Sequence, residues 1–178
     1  MGQLTLIIGP MFSGKSTELL RQVKRYKIAN KRCLVINHSK DTRYGTGKII
    51  THDHEEFPST CVSDLTTLND EVVLADVVAI DEAQFFSDLS ICKVWAMDKI
   101  LLVSGLVGDF KKEAFGHMHE LLPQADEIIP LKAICNICYK DATFTRRIPQ
   151  EREPFSEEQE VVGGSDKYQA VCRDHHSY

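Results

Sequence analysis

No stretch of this chain is apolar for anything near the ~20 residues that a membrane-spanning helix requires. A basic surplus is missing too. Lys and Arg number 21 against 26 Asp and Glu, a net charge of −5, whereas a nucleic-acid-binding module is usually basic. No leader is read ahead of the first strand, because Met1 to Gln3 run straight into it. There is no internal repeat and no low-complexity tract. These absences point to a soluble chain, expected in the cytoplasm, with neither membrane nor nucleic acid among its partners.

What is present suits an ordinary globular protein: 178 residues, 43% hydrophobic and 26% charged. That is one domain, or one domain with a small appendage. A chain of this size buries ~70% of its unfolded surface, enough for a real core.

The stretch LTLIIGPMFSGKSTE, Leu4 to Glu18, carries the strongest signal. An apolar run precedes a full G-x-x-x-x-G-K-[ST] match at Gly9 to Ser16, and a helical pattern follows it. Strand, Gly-rich loop and helix together are the context that raises the motif above a chance match. The glycines let the backbone turn so that successive N–H groups face phosphate oxygens, and the helix adds its positive end. Gly9, Pro10, Met11, Phe12, Ser13, Gly14, Lys15, Ser16 and Thr17 therefore read as a phosphate-binding loop. Lys15 reaches for the β- and γ-phosphates and Ser16 for Mg²⁺.

Further along, the periodicity predicts a helix from Ser16 to about Lys31 with Leu19, Leu20, Val23 and Ile28 on one side. Cys33 to Ile36 reads as a strand, His38 to Gly47 as a polar loop, and Ile49 to Thr51 as a strand followed by a loop over HDHEEFPS. Ser63 reads as the cap of a short helix ending at Leu68. Val77 to Ile80 is a β-branched run suited to a central parallel strand. A helix from Asp88 to Asp98, a strand from Ile100 to Val103, a helix from Phe115 stopped by Pro123, and a last strand from Glu127 to Ile134 follow. Alternating strands and helices imply an α/β fold with a mainly parallel sheet.

Val77 to Ile80 ends in Asp81 and Glu82. The carboxyl end of a strand is where open α/β sheets bind ligands. An Asp there suits Mg²⁺, and the adjacent Glu suits a general base, acting on water in a hydrolase or on a substrate hydroxyl in a kinase.

The character changes at Cys135. Short strands are expected at Ala142 to Ile148, Glu160 to Val162 and Lys167 to Cys172, with too little apolar sequence for an independent core. Such a segment usually needs a staple. Of six cysteines, Cys33, Cys61 and Cys92 are isolated, and Cys33 is expected to pack as a small core residue. Cys135-x-x-Cys138 and Cys172-x-x-His175 form a tetrahedral set for a structural Zn²⁺, with His176 a rival to His175. The intervening 139–171 would be drawn into a lasso. The division expected is a phosphate-loop domain over 1–134 and a zinc-binding domain with a substrate-covering lasso over 135–178.

The stretches GPMFSGKSTELL, KDTRYG, THD, IDEAQFF, Phe110 to Phe115, ICNICYKDATFTRR and VVGGSDKYQAVC resemble, in order and over nearly the whole chain, the type II thymidine kinases. That family includes the cytosolic vertebrate enzyme and its poxviral and bacterial relatives. The resemblance implies a RecA-like α/β fold and ATP-dependent phosphorylation of the 5′-hydroxyl of thymidine, with deoxyuridine accepted. It implies ATP and Mg²⁺ at Lys15 and Ser16, metal support from Asp81, and Glu82 as base. Arg43 matches a residue near the transferring phosphoryl, and Asp41 a substrate-side partner. Met11, Leu106, Phe110, Phe115, Thr145 and Tyr168 match walls around thymine and deoxyribose. Gln84 and Phe85 match further substrate positions, and main-chain contacts to the base are expected around Val161 to Gly163. Feedback inhibition by dTTP and a homotetramer are implied as well. One departure stands out: the family commonly has Asp after the leucine matching Leu106, and here it is Val107.

DEAQ also resembles the DExx boxes of nucleic-acid motors and other ATPases, which would need a second core or a basic track. A zinc-ribbon binding module would leave the phosphate loop unexplained.

Overall fold

The computed structural model describes residues 1–40, 47–50, 56–148, 159 and 163–176. In chain order the strands are β1 (Gln3–Ile8), β2 (Cys33–His38), β3 (Lys48–Ile50), β4 (Glu56–Pro58), β5 (Thr60–Val62), β6 (Val77–Ile80), β7 (Ile100–Gly105), β8 (Glu127–Pro130), β9 (Ala133–Ile134), β10 (Asp141–Ala142), β11 (Phe144–Arg147) and β12 (Tyr168–Val171). The α-helices are α1 (Lys15–Ile28), α2 (Asn69–Leu74) and α3 (Cys92–Trp95), joined by short 3₁₀ turns. Among the described residues, no helix is long and apolar enough to cross a membrane.

Six strands form one sheet in the order β5-β2-β6-β7-β1-β8, every neighbouring pair parallel. All four residues of β6 are fully buried, as a β-branched strand between two neighbours should be. Alternation along the strands separates two cores. Ile7, Val77, Ala79 and Leu102 face Leu19, Leu20 and Val23 of α1. Leu4, Leu6, Val78, Ile80, Leu101 and Val103 face the opposite layer with Leu65, Leu68, Phe86, Leu89, Trp95 and Leu121. Truncating a buried aromatic such as Phe86 costs about 3–5 kcal/mol in such a core. Helix α1 carries Glu18 in its first turn and Arg25 and Lys27 in its last, matching the dipole, and it closes with Asn30 in the left-handed conformation at φ 56°.

Several elements differ from the sequence expectation. Ile28, expected on the buried side of α1, is 84% exposed, because the helix ends there and overhangs the sheet. The segment from Asp88 breaks into a 3₁₀ turn, Leu89–Ile91, followed by α3. Its buried residues Leu89, Cys92 and Trp95 recur every third position, a period that favours the tighter helix. In place of a loop over HDHEEFPS, Glu56–Pro58 pairs antiparallel with Lys48–Ile50. The helix expected from Phe115 is displaced to a 3₁₀ turn, Met118–Gln124, with Pro123 inside it. Gly116 sets that start: it has φ 54°, and a Cβ there would lie 2.1 Å from the Gln84 carbonyl oxygen. The strand expected from Glu127 to Ile134 is two strands in two sheets, because the chain leaves the main sheet after Pro130 and β9 pairs with β10. Position 63 is not a cap: Ser63 Oγ bonds the Asp64 carboxylate, and Asp64 occupies the N-cap position. Cys33 is only half-buried, at the rim of the α1-side core.

Beyond the main sheet, Ala133, Cys135, Ala142, Ala170 and Val171 form a separate small cluster, against which Phe12 of the phosphate loop packs. The strand expected at Glu160 to Val162 lies outside the described residues, as do Asp41, Arg43, His52, His54 and Val161.

Candidate active site

The phosphate-loop sequence lies between β1 and α1. Gly14 sits at the N-cap of α1 with φ 81°, and Phe12 is also left-handed at φ 65°. A Cβ at Gly9 would meet the Leu131 carbonyl oxygen at 2.6 Å, so the loop needs glycine there. Ser13 Oγ and Lys15 Nζ both donate to the Pro10 carbonyl, at 2.8 and 2.7 Å. The Lys15 ammonium is thus turned into its own loop and only 8% exposed. Thr17 is exposed on the outer side of α1.

Because β1, β7 and β6 are parallel neighbours, their carboxyl ends share one edge of the sheet, with strands ~4.8 Å apart. Asp81 follows β6 and is 4% exposed. Ser104, at the end of the intervening β7, donates its hydroxyl to Asp81 Oδ1, and the nearby Ser16 hydroxyl also favours the charged carboxylate. Burial, and then the neighbouring Glu82 charge, push the Asp81 carboxyl up to about 6 against the pull of those two hydroxyls. Ser16 and Asp81 are therefore neighbours, a hydroxyl and a carboxylate, and hard oxygen donors of that kind are what Mg²⁺ takes.

Glu82 is left-handed at φ 50°. Non-glycine residues held there cluster at functional sites. Its carboxylate accepts from Gln84 Nε2 at 2.6 Å. Gln84 is buried, and its carbonyl oxygen accepts from the Leu106 N–H at 3.0 Å. One amide side chain thus fixes the acid to the end of β7. The Phe85 and Phe115 rings meet edge-on at 5.8 Å, and His38 at the end of β2 packs on both Phe85 and Phe86.

Residues after β7 form a hairpin. Gly108 bridges Ala114, and Phe115 N–H donates to the Val107 carbonyl at 2.9 Å. Val107 packs on the core as an apolar residue. The hairpin's buried carboxylate is Asp109, which accepts from the N–H groups of Lys111 and Glu113 at 2.8 and 2.9 Å and from Gln159 Nε2 at 2.8 Å. From the C-terminal segment, Thr145 Oγ1 accepts from the Met11 N–H at 3.0 Å. Arg147 lies 3.8 Å from the Phe110 ring centroid and donates to the Tyr168 hydroxyl at 2.9 Å.

Cys135, Cys138, Cys172 and His175 bring their ligand atoms within 4.8 Å of one another. Sulfur to sulfur is 3.7 Å for Cys138–Cys172, and the His175 Nδ1 contacts are 3.6 Å to Cys135 and 3.2 Å to Cys172. Zn–S bonds of ~2.3 Å at tetrahedral angles put sulfurs ~3.8 Å apart, so the set fits a zinc ion. Burial opposes ionisation of Cys135, but the Cys138, Cys172 and Ile137 backbone groups and His175 outweigh it and bring the thiol down to about 5. Cys138 is pulled down by the Lys140 backbone, yet burial and the Cys135 and Cys172 sulfurs raise it on balance. Adjacent thiols that resist a second negative charge are what a divalent cation would relieve. His176 is not in the cluster; its Nε2 donates to the Phe110 carbonyl at 2.9 Å.

The structure thus places Ser16 near Asp81 and joins Glu82 to Gln84 and Leu106, Phe85 to Phe115, Met11 to Thr145, and Phe110 to Tyr168 through Arg147. In the space a Cβ at Gly163 would take, the nearest atoms belong to the Lys167 side chain. Sequence reasoning missed Ser104, Asp109 and Arg147, and weighed His176 only as a rival metal ligand. Each acts through a partner on another element, so no local spacing marks it.

Fold and site define a phosphate-loop α/β protein with an appended Cys₃His cluster. A family model described as thymidine kinase matches residues 2–176. The chain is 46% identical over 174 residues to a thymidine kinase of Yaba monkey tumor virus (strain VR587), covering 97% of this chain and 93% of that protein. It is 42% identical to a cytosolic thymidine kinase of Gallus gallus, covering 97% of this chain and 75% of that one. It is 43% identical to a cytosolic thymidine kinase of Cricetulus griseus, covering 97% and 72%. The chain belongs to the thymidine kinase family, a family of phosphotransferases. These similarities do not favour the nucleic-acid motor.

Proposed function

We propose that this chain transfers the γ-phosphoryl group of ATP to the 5′-hydroxyl of thymidine, with deoxyuridine accepted, to give dTMP in nucleotide salvage. The family match across residues 2–176 is the observation that carries the reading. In it, the loop of Gly9, Pro10, Met11, Phe12, Ser13, Gly14, Lys15, Ser16 and Thr17 cradles the phosphates, with the donors coming from residues other than Pro10, which has no N–H. Lys15 leaves the Pro10 carbonyl for the phosphates and stabilises charge on the transferring group. Ser16 and Asp81 hold Mg²⁺, which neutralises charge across the β- and γ-phosphates when bound. Glu82, oriented by Gln84, takes the proton as the 5′-oxygen attacks and the bond to the ADP oxygen breaks. Arg43 assists at the phosphoryl group and Asp41 on the substrate side.

Met11, Gln84, Phe85, Leu106, Phe110, Phe115, Thr145 and Tyr168 wall the nucleoside, with Val161 and Gly163 offering main-chain contacts. Cys135, Cys138, Cys172 and His175 hold a structural zinc, and the chain divides into units at 1–134 and 135–178. A homotetramer in the cytoplasm, inhibited by dTTP, belongs to the same reading. The test is ADP release from ATP with and without thymidine. Thymidine-dependent ADP supports the kinase. ATP turnover stimulated only by nucleic acid overturns it in favour of a motor.

A further inference from the structure

Along β11 the burial alternates, with Thr145 and Arg147 inward and Phe144 and Arg146 less so. The two inward residues make different long-range contacts. Thr145 accepts from the Met11 N–H in the phosphate loop. Arg147, 8% exposed, reaches two aromatic residues that arrive on separate segments. Its guanidinium carbon is 3.8 Å from the Phe110 ring centroid and 5.4 Å from that of Tyr168, and Nη2 donates to the Tyr168 hydroxyl at 2.9 Å. Tyr168 is also its cross-strand partner on β12. Phe110 is held a second time through its carbonyl, by His176 Nε2 at 2.9 Å. Lys111 Nζ lies further from the same ring, at 5.6 Å.

A planar guanidinium can stack on one ring and hydrogen-bond beside another at once, which an ammonium or an apolar side chain cannot do. A desolvated cation is costly, so packing alone would be served better by an aliphatic residue. We propose that Arg147 is a positioning residue for the nucleoside: it fixes Phe110 and Tyr168 relative to each other. The same strand face, through Thr145, fixes both relative to the phosphate loop. The identity of the ligand rests on the thymidine reading above; the hold on the two rings does not.

The experiment uses the full chain, zinc-loaded, with Arg147→Met and Arg147→Lys. Tyr168→Phe, which removes only the hydroxyl acceptor, carries the test should Arg147→Met fail to fold. Amide hydrogen exchange over 108–115 is measured without ligand, and KM for thymidine and for ATP with kcat. Arg147→Met is expected to speed exchange at least about tenfold. It should raise thymidine KM about ten- to a hundredfold, with ATP KM within about twofold. Arg147→Lys should fall between. Tyr168→Phe should raise thymidine KM by less, and add nothing in the Arg147→Met background. Unchanged exchange in Arg147→Met overturns the hold, whatever the substrate. Faster exchange with unchanged thymidine KM in an active parent overturns the role toward the nucleoside. Faster exchange in a parent without thymidine-dependent turnover supports the hold on the two rings and overturns only the thymidine reading.

Discussion

Asp81 makes a prediction that separates function from stability. The carboxyl is buried, and that burial together with the Glu82 charge raises it from 3.8 to about 6. A carboxyl raised in the folded state binds its proton more tightly there than in the unfolded chain. Its cost is therefore absent at low pH and grows as pH climbs from about 4 to about 6, after which it is constant. A rise from 3.8 to about 6 corresponds to about 3 kcal/mol by that linkage. Asp81→Asn removes the charge while its amide oxygen still accepts from Ser104. Without Mg²⁺ or nucleotide, the variant should be the more stable protein at pH 7.5. The advantage should reach at most about 3 kcal/mol, or ~6–12 °C in Tm for a chain of this length.

The assay is urea unfolding of both proteins in the absence of Mg²⁺, at pH 4.5, 6 and 7.5. Taking the variant-minus-parent difference at each pH cancels the titration of the cysteine cluster, which the two proteins share. That difference should grow by about 2 kcal/mol from pH 4.5 to 7.5. A difference flat with pH, or a parent more stable than the variant at pH 7.5, would refute the view of Asp81 as a charge held against its solvation. In the kinase reading the same variant loses Mg²⁺-dependent turnover, the trade expected of a site strained for function.

Three further outcomes can be checked. Glu82→Gln should lower kcat by ~10²–10⁴-fold with ATP affinity retained; near-normal kcat would remove Glu82 from the base role. Lys15→Ala should cut turnover far more than thymidine affinity, because its charge acts on phosphates in the transition state; direct binding by calorimetry beside steady-state rates distinguishes the two. Cys138→Ser should lose the metal and raise thymidine KM steeply, since Thr145 and Tyr168 lose fixed positions, while ATP binding and the sheet persist. A metal count and thymidine kinetics on both proteins decide it, and an unchanged KM in a zinc-free variant would detach the cluster from the substrate.

What was legible in the sequence was local. The phosphate loop, the buried run Val77 to Ile80 with its terminal acids, and the paired C-x-x-C and C-x-x-H each announce themselves within a few positions. What was not legible depended on distance or on a small change of period. Met11 and Thr145 meet across 134 positions, and Phe110 and His176 across 66. The spacing of three in Leu89, Cys92 and Trp95 looks much like an α-helical stripe until the turn is seen to tighten. Ile28 fits the apolar side of α1 in a helical projection, yet the sheet beneath has already ended.

Val107 shows how a residue can mislead when read alone. It stands where the resemblance implies an aspartate, beside Leu106. The hairpin nonetheless contains a buried acid, two positions later, that ties Lys111, Glu113 and Gln159 together. A carboxylate receiving three N–H donors has the solvation it gave up on burial largely replaced. The valine meanwhile turns to the apolar core next to β7. His175 and His176 divide their work in the same way, one toward the thiols and the other toward the Phe110 carbonyl. Adjacent residues in an extended or 3₁₀ segment face different ways, so the second histidine is free to fasten the aromatic hairpin to the cluster that the first completes. The C-terminal segment is therefore tied to the rest of the chain at points that no single motif contains, among them Thr145 on the phosphate loop, Arg147 on the Phe110 ring, and His176 on the Phe110 backbone. Loss of a bound metal would act on the site through contacts such as these, because the six-stranded sheet draws its core from residues outside the cluster.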